Sequence, residues 1–246
     1  MRGISWICSV AGLAACLSGC GNKGSGAAPE SGANGAVNTP SPTGAAAADI
    51  AGDYTVTGTN PGGASKYTGT LAITKRGEVY QFSWKSGGSS YDGVGVVTDR
   101  SVGVAFANGP NGAGCGVVHY KVGPGGVLSG RWGAWGQDHS GAETASPQGS
   151  VSGLVGKYDV SGTRLDGKGY KGTLTVAAEG AGFLFDWATG DTSKGFGVKM
   201  GDFVSVGIGG DQCGFVAYEI KPDGSLSGQW SSFKSKAIGT EVATKK

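Results

Sequence analysis

Two glutamates stand out among the residues that could do chemistry, because each ends the same short pattern. Glu143 ends the segment Gly-Ala-Glu, and Glu241 ends the matching segment Gly-Thr-Glu. A carboxylate at such a place can face a ligand, or it can accept hydrogen bonds from backbone or tryptophan N–H groups. We favour the second role, since a single carboxylate without a partner is a poor acid–base catalyst.

The histidines do not extend this pair into a catalytic site. His119 is matched by Ala217 in the second half of the chain, and no histidine matches His139. Neither histidine belongs to a spaced metal-binding set or to a nucleophile–base–orienter arrangement. Both are expected at the surface or at a rim. The sequence therefore predicts a protein that is not an enzyme and that uses no metal and no cofactor.

Tryptophans also occur at matched positions. The four are Trp84, Trp132, Trp187 and Trp230. Period-two alternation places them on the inward face of strands, where large aromatics first fill a core and only then serve as a ligand platform. With the two glutamates, and with Asn108 and Asn111 from a loop at 107–114 that is longer than its counterpart, they are the candidate ligand-binding residues.

Two cysteines, Cys115 and Cys213, take equivalent positions at the start of a strand. Unpaired thiols are a liability in an oxidising compartment. Equivalent positions can meet near a pseudo-twofold axis and form a disulfide. The alternative, slightly favoured, is two buried free thiols that act as small apolar residues, because each precedes glycine and opens an apolar strand.

The matched glutamates, tryptophans and cysteines arise because residues 50–146 and 154–244 are two copies of one repeat unit. Gly52–Thr59 reads GDYTVTGT and Gly156–Thr163 reads GKYDVSGT, and the match continues in order to the end of both units. A repeat of this length is a domain duplication, since solenoid units have about 20–45 residues.

Each unit contains eight short stretches with period-two alternation, separated by turn residues, and none has a helical period. Closing such a meander removes both sheet edges. The predicted fold is all-β, with two tandem small antiparallel eight-stranded barrels that are calycin- or avidin-like in architecture. The predicted boundaries are 50–147 for the first barrel, 148–153 for a linker and 154–244 for the second barrel. Interiors filled by side chains are favoured over ligand cavities.

The start of the chain predicts a lipoprotein signal peptide at 1–19. The mostly apolar stretch Ile4–Leu17 is too short to span a membrane. The ending Leu-Ser-Gly-Cys resembles the bacterial lipobox, which implies that Cys20 is acylated. Residues 20–49 then form a disordered tether, because their small and polar side chains bury too little apolar surface. Gly21 follows the cysteine, and the resemblance to lipoproteins without aspartate at that position implies transfer to the outer membrane in a Gram-negative cell of the enterobacterial type.

Charge argues against one class of partner. The formal net charge is +2 over 246 residues, and no basic patch interleaved with aromatics occurs. Nucleic acid is therefore not expected as a partner. The expected partners are the membrane, through the lipid anchor, and an unidentified protein or small-molecule ligand.

Several short motifs recur in both units: Gly-x-Tyr-x-Val-x-Gly-Thr, Tyr-x-Gly-Thr-Leu, Phe-x-Trp, Leu-x-Gly-x-Trp and Gly-[Ala/Thr]-Glu. Together they resemble a small exported bacterial repeat domain that is often named a fibronectin-binding protein. The second unit departs from the pattern with Arg164-Leu165 in place of Asn60-Pro61. The resemblance implies adhesion to host matrix, although the matched residues are turn glycines and core aromatics.

The features above predict a lipid-anchored protein of the cell envelope, at the outer membrane, that acts as a non-catalytic binding or adhesion module. Two alternatives stay open. A periplasmic inhibitor of lysozyme or proteases is favoured by loops that carry an acidic or hydrophobic plug. An avidin- or lipocalin-like carrier of a small molecule is favoured by an open apolar cavity.

Overall fold

The structure, a computed structural model, describes residues 49–63, 65–109, 112 and 114–246. The predicted signal peptide, Cys20, the tether up to residue 48 and Asn111 lie outside the described residues. Within the described ranges the regular secondary structure is almost entirely β-strand. No helix in these ranges has the length and apolar character needed to cross a membrane.

The sixteen strands alternate with short turns and are numbered in chain order. They are β1 Gly52–Thr59, β2 Lys66–Arg76, β3 Val79–Ser86, β4 Ser89–Thr98, β5 Ser101–Asn108, β6 Gly116–Val122, β7 Leu128–Ala134, β8 Gly141–Pro147, β9 Gly156–Thr163, β10 Gly169–Glu179, β11 Gly182–Ala188, β12 Thr192–Met200, β13 Phe203–Ile208, β14 Cys213–Ile220, β15 Leu226–Ser232 and β16 Gly239–Lys245. Short 3-10 turns at Pro61–Gly63 and Pro124–Gly126 precede β2 and β7.

Strand β3 shows how the sequence pattern becomes a barrel wall. Phe82 and Trp84 are buried, whereas Gln81 and Ser83 beside them are partly exposed. Successive side chains of a strand point to opposite faces, so this alternation turns one face into the core. Strand β11 repeats the arrangement with a buried phenylalanine and a buried tryptophan. The predicted inward face of these strands is confirmed.

Each barrel closes with strands from both repeats. Barrel 1 has the order β1-β16-β15-β14-β5-β4-β3-β2, and barrel 2 has the order β10-β11-β12-β13-β6-β7-β8-β9. At the junctions β5 pairs with β14, and β6 pairs with β13, both antiparallel. The two predicted eight-stranded antiparallel barrels are confirmed.

The predicted assignment of one barrel to each repeat is wrong. Residues 148–153, expected to link two domains, lie in the turn between β8 and β9, which pair with each other inside barrel 2. The chain instead passes from one barrel to the other between β5 and β6 and again between β13 and β14, and these two connections are called the crossovers. The two copies have similar strand edges, so the last three strands of either copy can complete the same barrel, and period-two alternation does not select between them.

A disulfide joins Cys115, just before β6, to Cys213, the first residue of β14. Cys115 and Cys213 are both buried, and their Cα atoms are 5.8 Å apart. Gly209, in the second crossover, has φ +140°, and a Cβ atom there would lie 2.4 Å from Cys213 Sγ. Only glycine fits at that point. The hypothesis that the cysteines pair is confirmed, and the preference for free thiols is wrong, because strand exchange brings the equivalent positions together.

The outer walls of the two barrels pack against each other. One apolar cluster joins Val94, Val96 and Ala105 of barrel 1 to Val117 of barrel 2, and a second joins the β12 and β14 walls. This packing buries apolar surface that a separate barrel would expose to water.

His119 lies in the same contact region and is fully buried. Its Nδ1 atom is 2.9 Å from Ser205 Oγ, and its ring stacks on Phe203. Gly103 makes room for it, since a Cβ atom at that glycine would lie 2.9 Å from the histidine Cβ. The expected surface position is therefore wrong for His119. It is confirmed for His139, which is exposed.

Each barrel is plugged at one end. The Tyr54 hydroxyl donates to the Ile50 carbonyl at 2.8 Å, and the Tyr158 hydroxyl donates to the Leu154 carbonyl at 2.7 Å. Ile50 and Leu154 are both buried. They enter the barrels just before β1 and β9, so the far ends of those strands surround the opposite mouths.

Candidate ligand-binding cavities

At the end opposite its plug, each barrel opens into a cavity. Cavity 1, in barrel 1, has a volume of about 540 Å³, and cavity 2, in barrel 2, has a volume of about 390 Å³. Both volumes fall in the range of small-molecule sites, about 300–1,000 Å³. The preference for filled interiors is therefore corrected: side chains fill the plugged end of each barrel, and a cavity occupies the other end.

Glu241 forms the inner wall of cavity 1. Trp84 Nε1 donates to Oε1 at 2.9 Å, and the Tyr218 hydroxyl donates to the same oxygen. The Tyr67 hydroxyl donates to Oε2 at 2.7 Å. These donors stabilise a carboxylate that is only 5% exposed, since a buried charge is costly unless it is hydrogen-bonded. All three donors are electrically neutral.

Glu143 repeats this arrangement in cavity 2. Trp187 Nε1 donates to Oε1 at 3.0 Å, and the Tyr120 hydroxyl donates to the same oxygen. The Tyr170 hydroxyl donates to Oε2 at 2.6 Å. The predicted acceptance of a tryptophan N–H bond is confirmed for both glutamates, and both also line a cavity.

Glycines opposite the glutamates leave room for the tyrosine hydroxyls to reach the carboxylates. Glu241 pairs with Gly58 on β1, and a Cβ atom at Gly58 would lie 2.5 Å from the Tyr67 hydroxyl oxygen. At Gly162 the corresponding distance to the Tyr170 hydroxyl is 2.6 Å. Because there is no side chain at either glycine, each tyrosine can lie across the strand and reach the carboxylate.

Cavity 1 has a continuous aromatic wall. The ring of Phe106 lies 5.7 Å from Trp84, 6.0 Å from Tyr91 and 6.1 Å from Trp230. Tyr67 meets Trp230 edge-on at 6.1 Å. Trp230 is held at the mouth because its Nε1 donates to the Thr59 carbonyl at 3.1 Å. Such a wall presents several π-faces and edges to whatever enters.

Cavity 2 is smaller and less aromatic. Ile208 and Ser193 stand where cavity 1 has Phe106 and Tyr91. Trp132 lies at the mouth, with its Nε1 3.2 Å from the Thr163 carbonyl. Arg164, the equivalent of Asn60, places its guanidinium carbon 5.5 Å from the centre of the Tyr170 ring, which is a cation–π contact.

Burial dominates the electrostatics of both cavities. Desolvation raises the pKa of Glu241, and the hydrogen bonds from Tyr218, Tyr67 and Trp84 only partly oppose this effect. The pKa of Tyr67 and that of Tyr170 are also raised, first by burial and then by the neighbouring glutamate. Both tyrosines therefore stay protonated and act as hydroxyl donors.

The residues predicted from the sequence fall into two sites. Trp84, Trp230, Glu241 and Asn108 line cavity 1, and Trp132, Glu143 and Trp187 line cavity 2. Each cavity thus combines residues of both repeats. Asn108 lies at the rim, where the loop that contains Asn111 begins.

Sequence reasoning missed the tyrosines that hold the glutamates and the arginine of cavity 2. Tyr67 and Tyr170 open the repeated motif Tyr-x-Gly-Thr-Leu, and an aromatic residue with a polar tip at matched positions was the available signal. The change from Asn60 to Arg164 was visible as the departure of the second unit from the pattern. The sequence alone does not show that position 164 faces a cavity, so the contact between Arg164 and Tyr170 could not be predicted.

In comparisons with family models, with curated proteins and with solved structures, nothing matches this chain. Among the described residues, no group of three His, Cys, Asp or Glu is placed to hold a metal ion. The arrangement can recognise a ligand by aromatic contact and by a carboxylate that accepts hydrogen bonds or meets a positive charge.

Proposed function

We propose that this chain is a non-catalytic binding protein of the cell envelope that holds a small molecule in each barrel. The observation that carries the proposal is the paired geometry of the cavities. In each barrel a mouth lined by aromatic side chains leads to one glutamate held by two tyrosines and one tryptophan. Concave, mostly apolar sites with a few convergent polar groups are typical of small-molecule binding.

This geometry favours the carrier hypothesis over the others that the sequence left open. If the aromatic side chains served only to fill the core, no open volume would remain beside them. Cavity 1 instead leaves about 540 Å³ next to its aromatic wall. Adhesion to a matrix protein, and inhibition of lysozyme or proteases, would act through outer surfaces and loops. Both stay predictions, and no described contact favours either.

Small molecules recovered from an envelope extract test the proposal. The full chain in a non-ionic detergent is incubated with the extract and washed, and the compounds released on denaturation are measured by mass spectrometry. We expect retained compounds, and we expect their loss in the double variant Glu143→Gln, Glu241→Gln.

The matched control is Val242→Thr. Val242 is the outward-facing neighbour of Glu241 and is 41% exposed, so this variant is expected to retain what the wild type retains. Equal recovery of the same compounds from the wild type and from the double variant would show that the cavities are not the binding sites.

The envelope location rests on the lipobox-like sequence and is part of the same proposal. We expect Cys20→Ala to abolish acylation and release the protein from membranes, because the acyl chains supply the binding free energy of the anchor, about 0.8 kcal/mol per buried methylene. Incorporation of labelled palmitate measures the outcome. Equal incorporation into the wild type and the variant would contradict the anchor.

A further inference from the structure

The two cavities differ most at one equivalent pair of positions, Asn60 and Arg164. In cavity 2, Arg164 brings a positive charge to the face of Tyr170, and that tyrosine donates to Glu143. In cavity 1 the equivalent residue is Asn60, an uncharged residue of the lining whose side-chain amide donates to Ser65 Oγ at 2.6 Å. Cavity 2 therefore has a cationic side chain beside its tyrosine and glutamate, whereas cavity 1 has an uncharged side chain at the equivalent position.

We propose that cavity 1 binds a small organic ammonium ion, which takes the position over Tyr67 that the guanidinium takes over Tyr170. This inference rests on the proposed function and names the ligand class of one of its two sites. The ligand contacts the ring faces of Tyr67 and Trp230, and its positive charge lies toward Glu241.

The charge balance of cavity 1 supports a cationic ligand. Glu241 accepts hydrogen bonds from three neutral groups, and no lysine or arginine of the described residues forms an ion pair with it. The other charged residues of the cavity lining are Asp211 and Lys234, and both are exposed. An organic cation offsets the buried negative charge and does so without a large loss of hydration.

The aromatic wall explains why the cation is organic. An ammonium group that carries carbon substituents is weakly hydrated and is attracted to the faces of tryptophan and tyrosine rings within about 6 Å. Five aromatic side chains line cavity 1: Tyr67, Trp84, Tyr91, Phe106 and Trp230. A metal ion would lose its hydration shell against such a wall without gaining oxygen ligands, whereas the alkyl substituents of an organic cation bury against it.

Paired probes separate the charge from the shape. Choline and its uncharged carbon isostere, 3,3-dimethylbutan-1-ol, have nearly the same size, and each is titrated into the full chain in a non-ionic detergent by calorimetry. A desolvated cation–π contact with a nearby carboxylate predicts that choline binds at least about tenfold more tightly than the isostere. Glu241→Gln should remove that preference, and Val242→Thr, at the exposed neighbouring position, should leave it.

An exchange of residues between the cavities provides a test that does not disturb the buried carboxylate. Asn60→Arg gives cavity 1 its own cation and should abolish choline binding. The backbone tolerates arginine there, since both positions begin similar turns. The carbonyl of each residue accepts a hydrogen bond from the glycine N–H three residues later, and the N–H of each donates to a carbonyl five residues later at Asn60 and four residues later at Arg164. The reciprocal change, Arg164→Asn, should create a choline site in cavity 2.

The outcomes distinguish the two proposals. Preference for choline that is lost in Asn60→Arg supports the inference. Equal binding of choline and the isostere overturns the cationic ligand but leaves a small-molecule site in place. Binding of neither probe also overturns the inference. The proposed function is overturned only if, in addition, the wild type and the Glu143→Gln, Glu241→Gln variant retain the same envelope compounds.

Discussion

At the scale of single residues, the buried glutamates decide what the barrels can do. Each carboxylate costs free energy on burial, and each recovers it through hydrogen bonds from two tyrosines and one tryptophan. The same tryptophans fill the core: Trp84 stacks on Phe82 at 5.4 Å, and Trp187 stacks on Phe185 at 5.6 Å. Core packing and the cavity floor therefore depend on the same side chains.

We expect Trp84→Ala to lower the free energy of unfolding of the chain by about 3–5 kcal/mol, since it empties a large buried aromatic site. Urea denaturation followed by circular dichroism measures the change. Lys85→Ala, at the exposed neighbouring position, is the control and should have little effect. An unfolding free energy of Trp84→Ala equal to that of the wild type would mean that this side chain does not pack in the core.

His119 makes stability depend on pH. Burial lowers its pKa to about 3 from an ordinary value near 6.5, so the native state stays unprotonated where the unfolded state takes up a proton. Stability should fall as pH decreases from 6.5 toward 3, by at most about 1.4 kcal/mol per pH unit. The raised pKa of Glu241 acts in the opposite direction, because the native state protonates it first.

Comparison of the wild type with His119→Ala isolates the histidine contribution. Alanine is the residue that the second repeat carries at the equivalent position, Ala217. The difference in unfolding free energy between the two proteins should shrink as pH is lowered from 7 to 4. A difference that stays constant over this range would show that the histidine is protonated in the native state or is accessible to water.

At the scale of structural elements, the two crossovers control the fold. They lie between β5 and β6 and between β13 and β14, and they carry the last three strands of one repeat and the first five of the other into the same barrel. The disulfide Cys115–Cys213 closes a loop with a sequence separation of 98. A long loop has much conformational freedom in the unfolded chain, so the bond should contribute strongly to stability.

We expect the double variant Cys115→Ser, Cys213→Ser to lose about 2–4 kcal/mol of unfolding free energy, the usual contribution of a native disulfide. Denaturation of the wild type with and without reductant gives the same comparison without mutation. Both sulfur-bearing side chains are buried, so the reductant should act only after unfolding. Identical denaturation midpoints in all these samples would contradict the stabilising role.

Strand exchange also predicts how a single repeat behaves. A fragment of residues 49–150 contains β1–β5 and β6–β8, which belong to different barrels in the intact chain. We expect two fragments to exchange β6–β8 and form a dimer, because the crossover then keeps its conformation and the barrel-to-barrel contacts are restored. Light scattering after gel filtration measures the mass. A fragment that is a stable monomer at all concentrations would show that β6–β8 fold back onto their own repeat.

At the scale of the whole molecule, neither repeat contains a complete cavity. Cavity 1 takes Trp84 and Tyr67 from the first repeat and Glu241 and Trp230 from the second. The sequence offered Asn108 and Asn111, from the longer loop at 107–114 of the first repeat, as candidate ligand-binding residues. The structure shows that the main differences lie between the two cavities, in volume, in aromatic content and in the presence of Arg164.

The sequence by itself determined the strands, their inward faces and the recurrence of the glutamates and tryptophans, because alternation with period two is a local property that each strand expresses independently. Tertiary structure alone decided which strands share a barrel, whether Cys115 meets Cys213, that His119 is buried and that each core stops short of one mouth. Partner choice among duplicated strands is a non-local competition between nearly equivalent edges. The crossovers and the packing of one barrel on the other decide which strands pair, and neither feature produces a periodic pattern in the sequence.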